Sequence, residues 1–136
     1  MRIMTWNVNS VKVRAERLAG VLERHEPDVL CLQELKTPEL PEAVLTDLEH
    51  RGYHAAVHGQ KTYNGVAILS RSPIEDVTVG IPGTHHPEAR VISGIVDGVM
   101  LLNLYVVNGK EVGSDKYDYK LGWMGDVAGY VAERFP

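Results

Sequence analysis

Cysteine is nearly missing from this chain: Cys31 stands alone, so no intrachain disulfide can form, and its place inside an apolar run marks it as a buried thiol rather than a reactive one. Long apolar runs are absent too. The longest, such as Val29 to Leu32 and Val99 to Leu102, fall far short of the roughly 20 residues a bilayer span needs. The N-terminus has no apolar segment followed by a small-residue cleavage site, so a cytoplasmic location is expected. Positive charge is also scarce, with a net charge of −4, which removes the broad basic footprint of many nucleic-acid binders. If the partner is DNA, binding must be local, through a metal and a few cations. Repeats, low-complexity tracts and linker-like composition shifts are lacking as well, and 136 residues are taken as one domain. What remains is ordinary globular composition, 44% hydrophobic and 24% charged, enough to build a core.

The pattern along the chain is α/β. Arg2 to Asn7 alternates as a short strand that ends in a polar loop, and Ala15, Leu18, Ala19 and Leu22 recur at helical spacing within Val13 to Arg24, with Ser10 available as a cap. Pro27 and Asp28 break that helix before the continuous apolar run Val29 to Leu32, which reads as a strand covered on both faces. A second helix is expected from Pro41, placed at the first helical position, to Gly52. Strands follow at Tyr53 to His58, Gly65 to Ser70, Ile74 to Val79, Val91 to Val96 and Val99 to Val106, with Asp97-Gly98 as a two-residue hairpin turn. Tyr117, Leu121, Met124, Ala128, Val131 and Phe135 then predict a last helix, weakened by Gly122, Gly125 and Gly129.

Two polar residues end apolar strands of the same expected sheet, Asn7 and Glu34. A carboxamide oxygen and a carboxylate there can converge on one hard cation, Mg²⁺ or Mn²⁺ rather than zinc, for which no Cys and His cluster exists. Each taken alone is more readily a turn former or a solvated strand end. His85-His86, in a Gly- and Pro-rich loop, reads as a solvated pair. Tyr105 is either a core aromatic or a phenol that hydrogen-bonds a phosphate, and Lys36, Lys61 and Arg90 are surface cations unless something places them.

Five ordered blocks carry more. Thr5-Trp6-Asn7-Val8-Asn9, Leu32-Gln33-Glu34-Leu35-Lys36, the stretch from His58-Gly59-Gln60-Lys61 through Thr62-Tyr63-Asn64-Gly65 to Ser70, Arg90-Val91-Ile92 and Asn103-Leu104-Tyr105-Val106-Val107-Asn108-Gly109 resemble, in this order, the first motifs of the exonuclease III and apurinic/apyrimidinic endonuclease family, within the endonuclease/exonuclease/phosphatase superfamily. The resemblance covers the N-terminal half of such a protein. It implies a four-layer αββα sandwich, an α/β (α+β) fold of which only the first sheet and its helices would be present in residues 1–136. It implies Glu34 as the direct metal ligand with Asn7 helping to hold the site, Tyr105 as the catalytic tyrosine beside the scissile phosphate, and Lys36, Asn64, Arg90 and Asn108 around the metal or the DNA backbone. Val107 departs from the family, where proline is common.

The activity so implied is Mg²⁺-dependent hydrolysis of double-stranded DNA, at abasic sites or 3' ends, in base-excision repair, by a protein otherwise monomeric and not bound to membranes. The family's Asp-x-Asn and C-terminal Ser-Asp-His blocks have no counterpart here. Gly125-Asp126-Val127 lacks the Asn and sits in an expected helix, and Ser114-Asp115-Lys116 has Lys for His and comes too early. The chain is therefore expected to be truncated before its C-terminal half, its missing partner, and to be inactive by itself. Alternatives are a non-catalytic half-domain that binds DNA or a protein, and a superfamily phosphodiesterase acting on a non-DNA substrate. The sequence does not rank abasic-site cleavage against 3' exonuclease or 3' phosphatase activity.

Overall fold

The computed structural model describes residues 1–134, and Phe135, expected at the end of the last helix, lies outside them. The order is β1 (Ile3–Asn7), α1 (Ala15–His25), β2 (Val29–Gln33), α2 (Glu42–His50), β3 (His54–His58), β4 (Val66–Ser70), β5 (Glu75–Val79), β6 (Val91–Val96), β7 (Val99–Leu104) and α3 (Asp115–Arg134). The chain divides into two compact units, one of residues 1–79 with 88–105 and one of residues 80–87 with 106–136.

The first unit contains both sheets. One has the order β1-β2-β4-β3, with β1 parallel to β2 and the remaining pairs antiparallel, and the other has the antiparallel order β5-β6-β7. The expectation that only the first sheet would be present is thus corrected, while the α/β sandwich class holds. The physical reason is local: Asp97 and Gly98 both take positive φ, 48° and 78°, the conformation that joins twisted antiparallel strands in a two-residue turn, and β6 and β7 pair through it from Val91↔Leu104 to Val96↔Val99.

Burial follows the pleat. Leu30 and Leu32 of β2 with Ala67 and Leu69 of β4 face α1 and α2, where Leu18, Leu22, Val44 and Leu48 cover them. The opposite face, with Val29, Cys31, Val66 and Ile68, packs on Ile92, Val96 and Leu101 of the second sheet. β2 and β4 are consequently buried at every position, as the continuous apolar run of β2 predicted. One polar device crosses this interior: Asn103 of β7 donates through Nδ2 to the carbonyls of Leu32 (2.9 Å) and Ala67 (2.8 Å), and accepts from Gln33 Nε2 at 2.8 Å. All three bonds bind one sheet to the other in a buried setting, where an unmade bond would be costly. At one side of the sandwich β1 and β7 are both edge strands, and a cleft of about 340 Å³ opens between them.

Smaller expectations shift by a residue or two. Ser10 accepts from the Val13 amide at 3.4 Å, in the turn that precedes α1, and the helix begins at Ala15 without a side-chain cap. Pro41 is the N-cap of α2 rather than its first helical residue. Among the described residues no helix is long and apolar enough to cross a membrane.

In the second unit α3 carries Tyr119 and Asp126 two turns apart on one face, and both hold His86. His86 Nε2 lies 2.6 Å from Asp126 Oδ2 and Nδ1 lies 3.0 Å from the Tyr119 hydroxyl, with the two rings edge to face. The reading of both loop histidines as solvated is correct for exposed His85 and wrong for His86, whose side chain is only 16% exposed. The two motif-like segments set aside above fall at the start of α3 and within it. Ser114 Oγ accepts from the Tyr117 amide as a cap, Asp115 opens α3, and Asp126 lies within it.

Candidate active site

The candidate residues of the first unit gather where strands end. Register sets Asn7 beside Gln33, one residue before Glu34, at the C-terminal ends of the parallel strands β1 and β2. The loops that follow are tied to each other. The Ser10 amide donates to Glu34 O (2.9 Å), that of Val11 to Leu35 O, that of Leu35 to Gly65 O and that of Lys36 to Asn64 O. This lacing forces unusual backbone. Asn9, Ser10, Glu34, Lys36 and Asn64 all have positive φ, rare for residues with side chains, and such outliers gather at functional sites. Gly65, φ 99°, is there for want of room, since a Cβ would come within 2.9 Å of the Leu35 Cβ.

Oxygen atoms converge on a cation in this cradle. The Lys36 ammonium lies 2.6 Å from Asn9 Oδ1 and 3.4 Å from Glu34 Oε1, and Asn7 Oδ1 accepts from the Asn9 amide. Arg90 and Tyr105 extend the open end of the β6–β7 hairpin, just beyond the pair Val91↔Leu104, and are joined by the Tyr105 amide donating to Arg90 O at 2.8 Å. The Arg90 guanidinium lies over the Tyr105 ring, 4.9 Å from its centroid, and donates to the Tyr105 carbonyl. Burial raises the Tyr105 phenol above its ordinary pKa, helped by the charge and hydrogen bonding of Glu34 and opposed by Arg90. Glu34, just past β2, and Tyr105, just past β7, therefore lie near each other.

A sequence comparison decides the family. The endonuclease/exonuclease/phosphatase family pattern matches residues 4–134. The chain belongs to the endonuclease/exonuclease/phosphatase family. Within that family it is 43% identical to a 3' phosphatase from Neisseria solved with a product DNA hairpin, with a TM-score of 0.92 over 98% of this chain and 52% of the other. An AP endonuclease from Archaeoglobus fulgidus is 35% identical, with a TM-score of 0.91 over the whole chain and 52% of its own. Among curated proteins, exodeoxyribonuclease III of Haemophilus influenzae is 32% identical over 111 residues, which is 80% of this chain and 40% of that protein. This family member thus spans about half the length of the solved relatives, and less of the curated one. The family is one of hydrolytic enzymes, and these relatives are named as DNA nucleases, a phosphatase and an AP endonuclease.

Two of the expected residues are held by partners of their own. Asn108 belongs to the second unit, where it is exposed and closes a turn by accepting from the Lys110 amide. Asn64 is buried in the first unit, with its amide group engaged by Gln60 and Glu88. Sequence reasoning missed Asn9, Gln60 and Glu88. Asn9 lies two residues after Asn7 in the same block, and Glu88 two before Arg90; closeness to a singled-out residue was the available signal. Among the described residues no three His, Cys, Asp or Glu side chains form a metal cluster.

Proposed function

We propose that this protein is a cytoplasmic, Mg²⁺-dependent DNA-repair nuclease that hydrolyses phosphodiester bonds at abasic sites or 3' ends of duplex DNA, as one domain completed by a second half. The observation that carries the reading is the meeting of Glu34, Arg90 and Tyr105 at the ends of strands from two sheets. Its support is the similarity to nucleases and AP endonucleases.

The donor set suits Mg²⁺. A single carboxylate, Glu34, with the carboxamide oxygens of Asn7 and Asn9 beside it, is the hard and incomplete set that a cation retaining waters and a substrate phosphate requires, and the ammonium of Lys36 already sits against two of these oxygens. The metal supplies charge neutralisation at the phosphate and the leaving oxygen. Arg90, held over the Tyr105 ring, offers fixed positive charge to the phosphate. The Tyr105 phenol, whose pKa burial raises further, donates a hydrogen bond to a phosphate oxygen. Lys36 sets Glu34 in place, and Asn108 is assigned to the DNA backbone. Catalysis needs acid and base groups that residues 1–136 lack, and the open edges of β1 and β7 are where a second half extends both sheets.

The test is an abasic-site duplex assayed with Mg²⁺ before and after adding the C-terminal half of a relative. Turnover only on mixing is expected, and Glu34→Ala should abolish it and weaken Mn²⁺ binding measured by electron paramagnetic resonance. Full turnover by the chain alone refutes the need for a second half, and Glu34→Ala with unchanged metal titration removes Glu34 from the site.

A further inference from the structure

Glu88, which no expectation singled out, is the hub of a small network beside the site. One of its oxygens, Oε2, accepts from Arg90 at 2.9 Å and from Asn64 Nδ2 at 2.9 Å. Gln60 Oε1 closes the network, accepting from Asn64 Nδ2 at 3.0 Å and from the Ala89 amide at 3.0 Å. The Gly65 amide in turn donates to Ala89 O at 2.8 Å, so the two loops are tied by backbone as well.

The donors in this network are fixed by elimination. A backbone N–H only donates, so Gln60 must turn its oxygen toward Ala89, and an ionised carboxylate only accepts. The group of Asn64 that faces both acceptors is therefore its NH₂, and both amide protons are spent. Only the Asn64 oxygen is left for a ligand, and it is an acceptor. Arg90 is equally constrained, by Glu88, by the Tyr105 carbonyl and by the ring beneath it; its side chain is 12% exposed and its Nε is buried without a partner.

We infer that Glu88 is a positioning residue that locks Arg90 as the phosphate-binding cation and turns Asn64 so that it presents an acceptor, which takes a hydroxyl or other donor of the ligand and no phosphate oxygen. This revises the phosphate role that the resemblance implied for Asn64, and it rests on the reading of the cluster as a phosphodiester site. Simple charge counting makes the opposite forecast for Glu88. A carboxylate that is 35% exposed beside a bound polyanion repels it, so its removal should tighten binding. Positioning predicts a loss.

Two measurements on the 136-residue chain decide. In side-chain NMR, titration with inorganic phosphate should move the Arg90 Nε–H signal and leave the Asn64 amide pair in place. Glu88→Ala should collapse the separate, exchange-protected Asn64 signals, and Glu88→Gln, which keeps an acceptor oxygen, should restore them. In fluorescence anisotropy with an abasic-site duplex, Glu88→Ala should weaken binding by about tenfold and Glu88→Gln by much less, with urea midpoints little changed. Tighter binding by Glu88→Ala, Asn64 signals that follow phosphate, or Asn64 signals indifferent to Glu88→Ala would each overturn the inference. Failure of the unmodified chain to bind duplex or phosphate would instead count against the nuclease reading, and the Asn64 signals would still judge the clamp.

Discussion

Replacing Gly65 by alanine tests whether the site loops are held by steric fit or only by backbone conformation. Two costs arise there. At φ 99° a side chain is strained by about 1–2 kcal/mol, and the new Cβ meets the Leu35 Cβ at 2.9 Å, a clash in a close-packed interior worth about 1–3 kcal/mol. Lower entropy of the unfolded chain returns about 0.4–1 kcal/mol. The net expectation is a loss of about 2–4 kcal/mol. Gly98→Ala is the internal control, since Gly98 also has positive φ, 78°, but nothing lies within 4 Å of its Cβ. It should lose only the conformational part, about 1 kcal/mol. The contact at Gly65 involves a Cβ, which trimming Leu35 to alanine would leave in place, so the backbone must yield, and Leu35 lies between Glu34 and Lys36. Urea unfolding of both variants, with equal m-values, measures the difference. Equal midpoints for Gly65→Ala and Gly98→Ala would refute the steric argument.

Tyr105→Phe should leave the urea midpoint nearly unchanged and lower turnover of the completed enzyme by about 100-fold or more, since it removes only a hydroxyl aimed at the phosphate; a stability loss with normal turnover would return Tyr105 to the core. Asn103→Ala deletes three buried hydrogen bonds between the sheets and should cost about 2–4 kcal/mol by urea unfolding; a loss below about 1 kcal/mol would show that the strands' own pairing holds the sheets together. Burial pushes the Cys31 thiol up from 9.0 to about 11. With the folded pKa raised, its contribution is complete below pH 9 and lost as pH rises toward 11, about 2–3 kcal/mol, and Cys31→Ala should flatten that part of the stability profile.

The strands and helices were legible because their causes are local. The run from Val29 to Leu32 declared its two-sided burial, and Asp97-Gly98 declared its turn. The presence of a second sheet was not foreseen, because the hairpin's pairing with β5 and its packing on β2 and β4 join residues far apart in sequence. Within the candidate site, Asn7, Glu34 and Tyr105 stood out as polar or aromatic residues at strand ends. Glu88 and Gln60 were not, since an acidic or amide side chain in a polar loop looks like any solvated one until the loops are brought together. His86 was misread for the same reason: its partners lie 33 and 40 positions away on a helix.

The left-handed residues of the cradle have a bearing on how this protein could be changed. Glycine at Asn9, Ser10, Glu34, Lys36 or Asn64 would relax the backbone, by about 1 kcal/mol at the bulkier positions before its own flexibility is counted. At Asn64 the lost bonds to Gln60 and Glu88 outweigh that relief, so a laboratory selection for thermal resistance alone would find its easiest gains at Asn9, Ser10, Glu34 and Lys36. Each gain, Ser10 apart, would erase a side chain of the cradle. Robust variants that have fallen silent are the expected harvest of such a screen, and sequencing them would map the cradle without a single assay of cleavage.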